Sequence, residues 1–120
     1  IDDYVSGTDI IDLDGVALTT GAQGTLGAGQ ASIAAGGGAT FAVADDTAAE
    51  RMLAVEAALS ADAAVSGEFA YWGEGSDTYL FVSDGVAALS SGDLLVKLVG
   101  VSAVSVTLTA GNITDIIGVV

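Results

Sequence analysis

The chain of 120 residues has no cysteine, no histidine and no proline, and its only basic residues are Arg51 and Lys97 against sixteen acids. Without cysteine there is no disulfide framework, no thiol nucleophile and no thiolate-bound zinc. Without histidine the commonest general base and the commonest transition-metal ligand are both missing. Two cations in a chain of net charge −14 cannot neutralise a phosphate backbone, so nucleic acid is excluded as a partner. The same scarcity excludes adhesion to an anionic bilayer through a basic face. No apolar run approaches ~18 residues, so no membrane insertion is expected.

What remains is apolar and small. Hydrophobic residues make up 52% of the chain, far more than an acidic disordered segment carries, so the charge does not signal disorder. The length suits one domain with a core of its own. Residues 1–120 are expected to form that single domain. Because the chain opens at Ile1 without a basic leader, it is expected to be a fragment or processed piece of a larger protein.

Along the chain, Asp9-Ile10-Ile11-Asp12-Leu13-Asp14 alternates acids with apolar residues, the pattern of a half-buried strand. Glycines then interrupt every apolar run through residues 15–40, where Ala31–Ala34 reads as a short strand. Thr40–Ala44 reads as another, presenting Phe41 and Val43. One helix is clear near residues 47–60. Asp45-Asp46-Thr47 supplies capping oxygens, Thr47 and Glu50 have capping-box spacing, and Met52, Val55 and Leu59 with Ala48 form an apolar stripe. Thereafter the period is two. Glu68–Trp72 and Thr78–Ser83 read as paired strands around a five-residue loop, Gly73–Asp77. Leu94–Val99, Val101–Thr109 and the tail from Gly111 continue the pattern. The expected fold is mainly β, an antiparallel sandwich or roll of short strands, with one helix.

For chemistry, a serine or threonine activated by Lys97, or a carboxylate pair in a cleft, are the routes left open to catalysis. Lys97 lies mid-strand, and no phosphate loop, dinucleotide fingerprint or G-x-S-x-G phrase is present. A non-enzymatic role is therefore expected. Calcium takes oxygen ligands, and two acidic groups offer them: Asp9, Asp12 and Asp14 with Asp2 and Asp3, and Glu74 and Asp77 with Asp84. A solvated acidic surface that keeps a secreted protein soluble accounts for the same residues. Tyr71, Trp72 and Tyr79 fall in one hairpin. They would serve either as a ligand-binding aromatic face or as cross-strand pairs holding the sheet.

Ser6-Gly7-Thr8-Asp9-Ile10-Ile11-Asp12-Leu13 resembles the G-x-D-x-I-D-L phrase that closes the β-roll arrays of RTX proteins. Gly75–Gly85, followed by Gly92-Asp93-Leu94-Leu95-Val96-Lys97-Leu98-Val99-Gly100-Val101, is similar to the C-terminal domains of that type I-secreted family. Leu108-Thr109-Ala110-Gly111-Asn112-Ile113 fits its closing phrase, with Asn112 where aspartate is usual. The segment Thr40–Ser60 resembles the bluetail variant found at the ends of bacterial surface-layer proteins. The resemblance covers about half the chain. It implies an extracellular or cell-surface, calcium-associated C-terminal domain that caps preceding repeats and carries a secretion signal. Its partners would be upstream repeats of the same chain or neighbouring subunits, and the type I secretion machinery. The nonapeptide repeats themselves are absent, and of the roll aspartates only Asp9 has a counterpart. Two other readings stand beside it: a self-assembling subunit of an extracellular filament or surface lattice, pairing through open edges in the Gly-rich segment 21–38 and the Ser/Thr/Val strands near the C-terminus, and an adhesin or carbohydrate-binding module using Tyr71, Trp72 and Tyr79.

Overall fold

The computed structural model describes residues 17–109 and 112–119 together with Val5, Thr8 and Asp9, with the backbone alone described at 103, 104, 109 and 112–119. The expected strand at residues 9–14 lies, apart from Asp9, outside the described residues. The fold is mainly β with one helix, as the alternating pattern predicts. In chain order the elements are β1 (Thr19–Thr20), β2 (Ser32–Ile33), β3 (Ala39–Thr40), α1 (Ala48–Leu59), β4 (Glu68–Glu74), β5 (Asp77–Val82), β6 (Leu94–Leu98), β7 (Ser102–Thr109) and β8 (Asn112–Val119). Among the described residues no helix is long and apolar enough to cross a membrane.

A four-stranded sheet, ordered β1-β4-β5-β6, carries the structure. β4, β5 and β6 are antiparallel neighbours, and β1 adds a short parallel edge. Side chains alternate across the sheet, and both faces are buried. Phe69, Tyr71, Leu80, Val82 and Leu98 pack with Leu18 on one face, against Val101, Val106 and Leu108 of the β7–β8 ribbon and the turn before it. Ala70, Trp72 and Phe81 pack on the other, against α1 and the β2–β3 ribbon. Trp72 and Tyr71 therefore face opposite ways, as period two requires. Burial on both sides explains why β4 is apolar at every position from Phe69 to Trp72.

The helix follows its caps closely. Thr47 is the N-cap, its hydroxyl accepts from the Glu50 N–H at 3.2 Å, and Glu50 returns the bond by accepting from the Thr47 N–H at 3.0 Å. The capping hydroxyl and amide hold the Glu50 carboxyl below the usual range. The buried face is rotated from the expected stripe. Ala54, Val55, Ala58 and Leu59 are buried, Met52 is half-buried and Ala48 is exposed. Small alanines on the sheet side let the helix backbone approach β2 and β4, which a Met-centred face would prevent.

Two local expectations give way. The strand expected over Thr40–Ala44 stops at Thr40 because Asp45 N–H bonds the Ala42 carbonyl and turns the chain. Val43 is left 98% exposed. The five-residue loop at Gly73–Asp77 is a two-residue turn, since β4 extends to Glu74 and pairs it with Asp77. Gly75 takes φ +63° there, a conformation that suits glycine.

Thr78 ties the sheet to the ribbon. Fully buried on β5, it donates its hydroxyl to the Val101 carbonyl at 2.6 Å, just before β7 begins. Thr78→Val keeps the shape and removes the donor from a buried acceptor. It is expected to lower stability by about 1–2 kcal/mol in urea unfolding, and Thr78→Ser, which retains the hydroxyl, to lose less through that bond.

Candidate functional site

The tip of the β4–β5 hairpin gathers three of the chain's seven aromatics and both of its cations. Trp72 and Tyr79 are register partners and their rings stack, with centroids 5.5 Å apart and planes 11° apart. Phe41, from the segment after β3, meets Trp72 edge-on at 5.7 Å. Arg51 of α1 lies over Phe41 at 5.5 Å, and Lys97 of β6 lies over Tyr79 at 5.6 Å. The row thus runs Arg51, Phe41, Trp72, Tyr79, Lys97. Each cation has an acid as well: Arg51 Nη1 is 3.5 Å from Glu74 Oε1, and Lys97 Nζ is 2.8 Å from Asp77 Oδ2.

Glu74 and Asp77 were candidate calcium ligands, and the structure does place them opposite each other. Their carboxylates turn to different cations. Asp77 also accepts from the Gly100 N–H at 2.9 Å, and that bond, with Lys97 beside it, holds its carboxyl below the usual range. The same pairing raises the Lys97 ammonium. Asp84 belongs to a separate loop. It accepts from the Val86 N–H at 2.8 Å and the Ser90 hydroxyl at 2.6 Å, and the Ser90 bond leads the lowering of its pKa. Asp9 accepts from the Val5 N–H at 2.7 Å. Asp2, Asp3, Asp12 and Asp14 lie outside the described residues. Among the described residues no three acids converge as a metal ion requires. Asp9, Asp77 and Asp84 each accept a backbone N–H bond, and Glu74 pairs with Arg51.

Three residues not singled out as site candidates do the same work or oppose it. Asp93 accepts from the Asp84 N–H at 3.0 Å and the Ser90 N–H at 2.7 Å, locking the loop between β5 and β6. Its signal in the sequence was the Ser90-Ser91-Gly92-Asp93 run, rich in residues that bond nearby backbone. Asp45, read as a helix-capping acid, instead accepts from the Gly29 N–H at 3.0 and 3.2 Å, sixteen positions away. No local pattern announces that contact. Glu56 is the exception: on α1 it is 3% exposed, accepts from the Ser60 hydroxyl, and leaves Oε2 without a partner. Burial, then the nearby Asp93, Asp84 and Glu68 carboxylates, pushes its pKa up.

Of the aromatic candidates, Tyr71 and Trp72 are buried and Tyr79 is half-buried. Trp72 is 2% exposed, with one ring face on Tyr79 and its indole N–H buried without a hydrogen-bond partner. Tyr71 is buried on the opposite face, which raises its phenol pKa. Beside the row lies an open pocket of about 360 Å³ lined by Thr40, Phe41, Val43, Asp45, Arg51 and Trp72, among others. Arg51, the one cation in its wall, already donates to the Asp45 carbonyl at 3.1 Å. What the pocket presents is an aromatic edge and acceptor oxygens.

Two outcomes test this division of labour. A Cβ at Gly92 would run into the Asp84 carboxylate, so Gly92→Ala is expected to lower the thermal midpoint by about 3–6 °C. In an Asp84→Ala background the same change should cost less than half as much, because the two effects share one contact. Glu56 behaves oppositely. A carboxyl whose folded pKa is raised binds protons more tightly folded than unfolded, so stability falls as pH rises from its ordinary 4.5 through the raised value. At pH 7, above its ordinary value, the folded state carries this cost. Glu56→Gln is expected to raise the midpoint there by roughly 2–5 °C, with the gain vanishing toward pH 4 in a melt series.

No protein-family model matches the chain, and no match is found among curated proteins or solved structures.

Proposed function

We propose that the chain is a non-enzymatic extracellular structural domain, the C-terminal cap and type I secretion module of a bacterial surface or matrix protein. The observation that carries this reading is the use made of the acids. Asp45, Asp77, Asp84 and Asp93 each bond backbone N–H groups of the protein's own loops. Carboxylates so committed are held to the protein's own backbone and shape its surface. The phrases shared with RTX-type C-terminal domains supply the location and the export route.

Calcium enters through the charge of the whole molecule. At −14 the compact state suffers self-repulsion that counter-ions relieve, divalent ions at lower concentration than monovalent ones. Inside a cell, where calcium is scarce, that repulsion opposes compaction; outside, millimolar calcium favours it. Thermal unfolding in EGTA, in millimolar calcium, and in sodium chloride over a range of concentration provides the test. The midpoint is expected to rise in calcium, and to rise in sodium chloride only at much higher concentration. A midpoint indifferent to calcium would remove the cation from the mechanism.

A further inference from the structure

β6 ends the sheet, with β5 on one side and no described strand on the other. Edge strands are usually guarded by an outward lysine, a proline or a bulge. Here there is no proline in the chain, the β5–β6 register runs without a shift, and Lys97 is drawn back onto Asp77 and the Tyr79 ring. One face is apolar throughout, Leu94, Val96 and Leu98, and the other pairs Leu95 with Lys97; Leu94 is 38% and Leu95 42% exposed. Val86 and Leu89 in the loop leading into it, and Val99 just after it, are exposed as well.

Charge identifies the occupant. Residues 94–114 contain a single ionisable side chain, Lys97, while the rest of the chain holds all sixteen acids and Arg51. A second copy, repelled over the rest of this surface, meets no acid along β6. The strand is also self-complementary. About a two-fold axis at Val96, antiparallel pairing sets Val96 against Val96, Leu94 against Leu98, and Leu95 against the aliphatic stem of Lys97. We propose that two copies of this chain associate through β6, joining their sheets into one eight-stranded sheet across the edge. The proposal deepens the structural reading above by naming the neighbouring subunit and the strand that meets it.

The full chain tests this in sedimentation velocity over roughly 1–100 µM, the range in which modest strand-edge interfaces assemble. The expected result is a concentration-dependent dimer. Leu95→Lys places an outward charge on the exposed edge and is expected to weaken association by about tenfold or more, with the thermal midpoint checked to show that the subunit stays folded. A second variant reads the register. With no native cysteine, Val96→Cys should form a disulfide-linked dimer under mild oxidation, since opposed antiparallel Cα atoms lie about 4.5–5.5 Å apart. Val43→Cys, fully exposed and away from β6, should not. A monomer at every concentration overturns the proposal, whether the edge is free or covered by the chain's own N-terminal residues. So does a dimer indifferent to Leu95→Lys, or a cross-link at 43 and none at 96. A monomer that still melts later in calcium removes the pairing and leaves the structural reading intact; a β6 dimer indifferent to calcium does the reverse.

Discussion

Everything in the fold leans on the hairpin tip where the chain spends its only two cations. Glu74 and Asp77 close the β4–β5 ladder, and Arg51 and Lys97 reach them from α1 and β6. The same two side chains cap the two ends of the Phe41–Trp72–Tyr79 row. One small cluster thereby joins the helix, the segment after β3 and three strands. A one-residue slip of β5 against β4 would separate Trp72 from Tyr79 and turn every apolar residue of β5 to the wrong face. The aromatic pair and its flanking charges fix that register from the end where the strands turn. Burial of both sheet faces then makes any slip costly along the whole length.

With the cations committed there, aspartates supply several of the side-chain bonds that hold the other described loops, beside backbone carbonyls and serine hydroxyls. In a chain with no cysteine or proline, an aspartate that accepts one or two backbone N–H bonds is one available means of fixing a loop. The loop between β5 and β6 uses two: Asp84 holds Val86 and Ser90, and Asp93 holds Asp84 and Ser90. Glycine completes the device where a side chain would not fit. Gly92 leaves room for Asp84, and Gly85, at φ +87°, lies against the Ser66 backbone. Such bonds are short-ranged and charge-assisted. They persist in salt that screens the long-range repulsion.

How much of this could be read in the sequence follows from the range of each interaction. The α1 caps, the β4–β5 pairing and the β6 and β7 strands depend on neighbours a few positions apart, and the residue pattern shows them. The end of β3 depends on Asp45 and so on Gly29, and the chosen helix face depends on how closely alanines let α1 approach the sheet. Neither is a local property. The candidate site was legible in its residues and opaque in its geometry. Glu74, Asp77 and Asp84 cluster in sequence, yet each carboxylate is turned by a different partner: Arg51 for one, Lys97 and Gly100 for the next, Ser90 and Val86 for the third. The spacing of Tyr71, Trp72 and Tyr79 announced an aromatic hairpin without saying that Phe41 and two cations would close over it.

The distribution of charge ties these features to a role. Local carboxylate bonds are indifferent to the ionic medium, whereas the repulsion among sixteen acids is not. Stability therefore has a fixed part, set by the two buried sheet faces and the stapled loops, and a variable part set by the cations outside. Glu56, buried near Glu68, Asp84 and Asp93, adds a cost that burial sets first and that outside ions screen little. The loop of Asp84 and Asp93 leads straight into β6, the acid-free edge. A medium rich in cations screens the repulsion among the surface acids, within one subunit and between two of them.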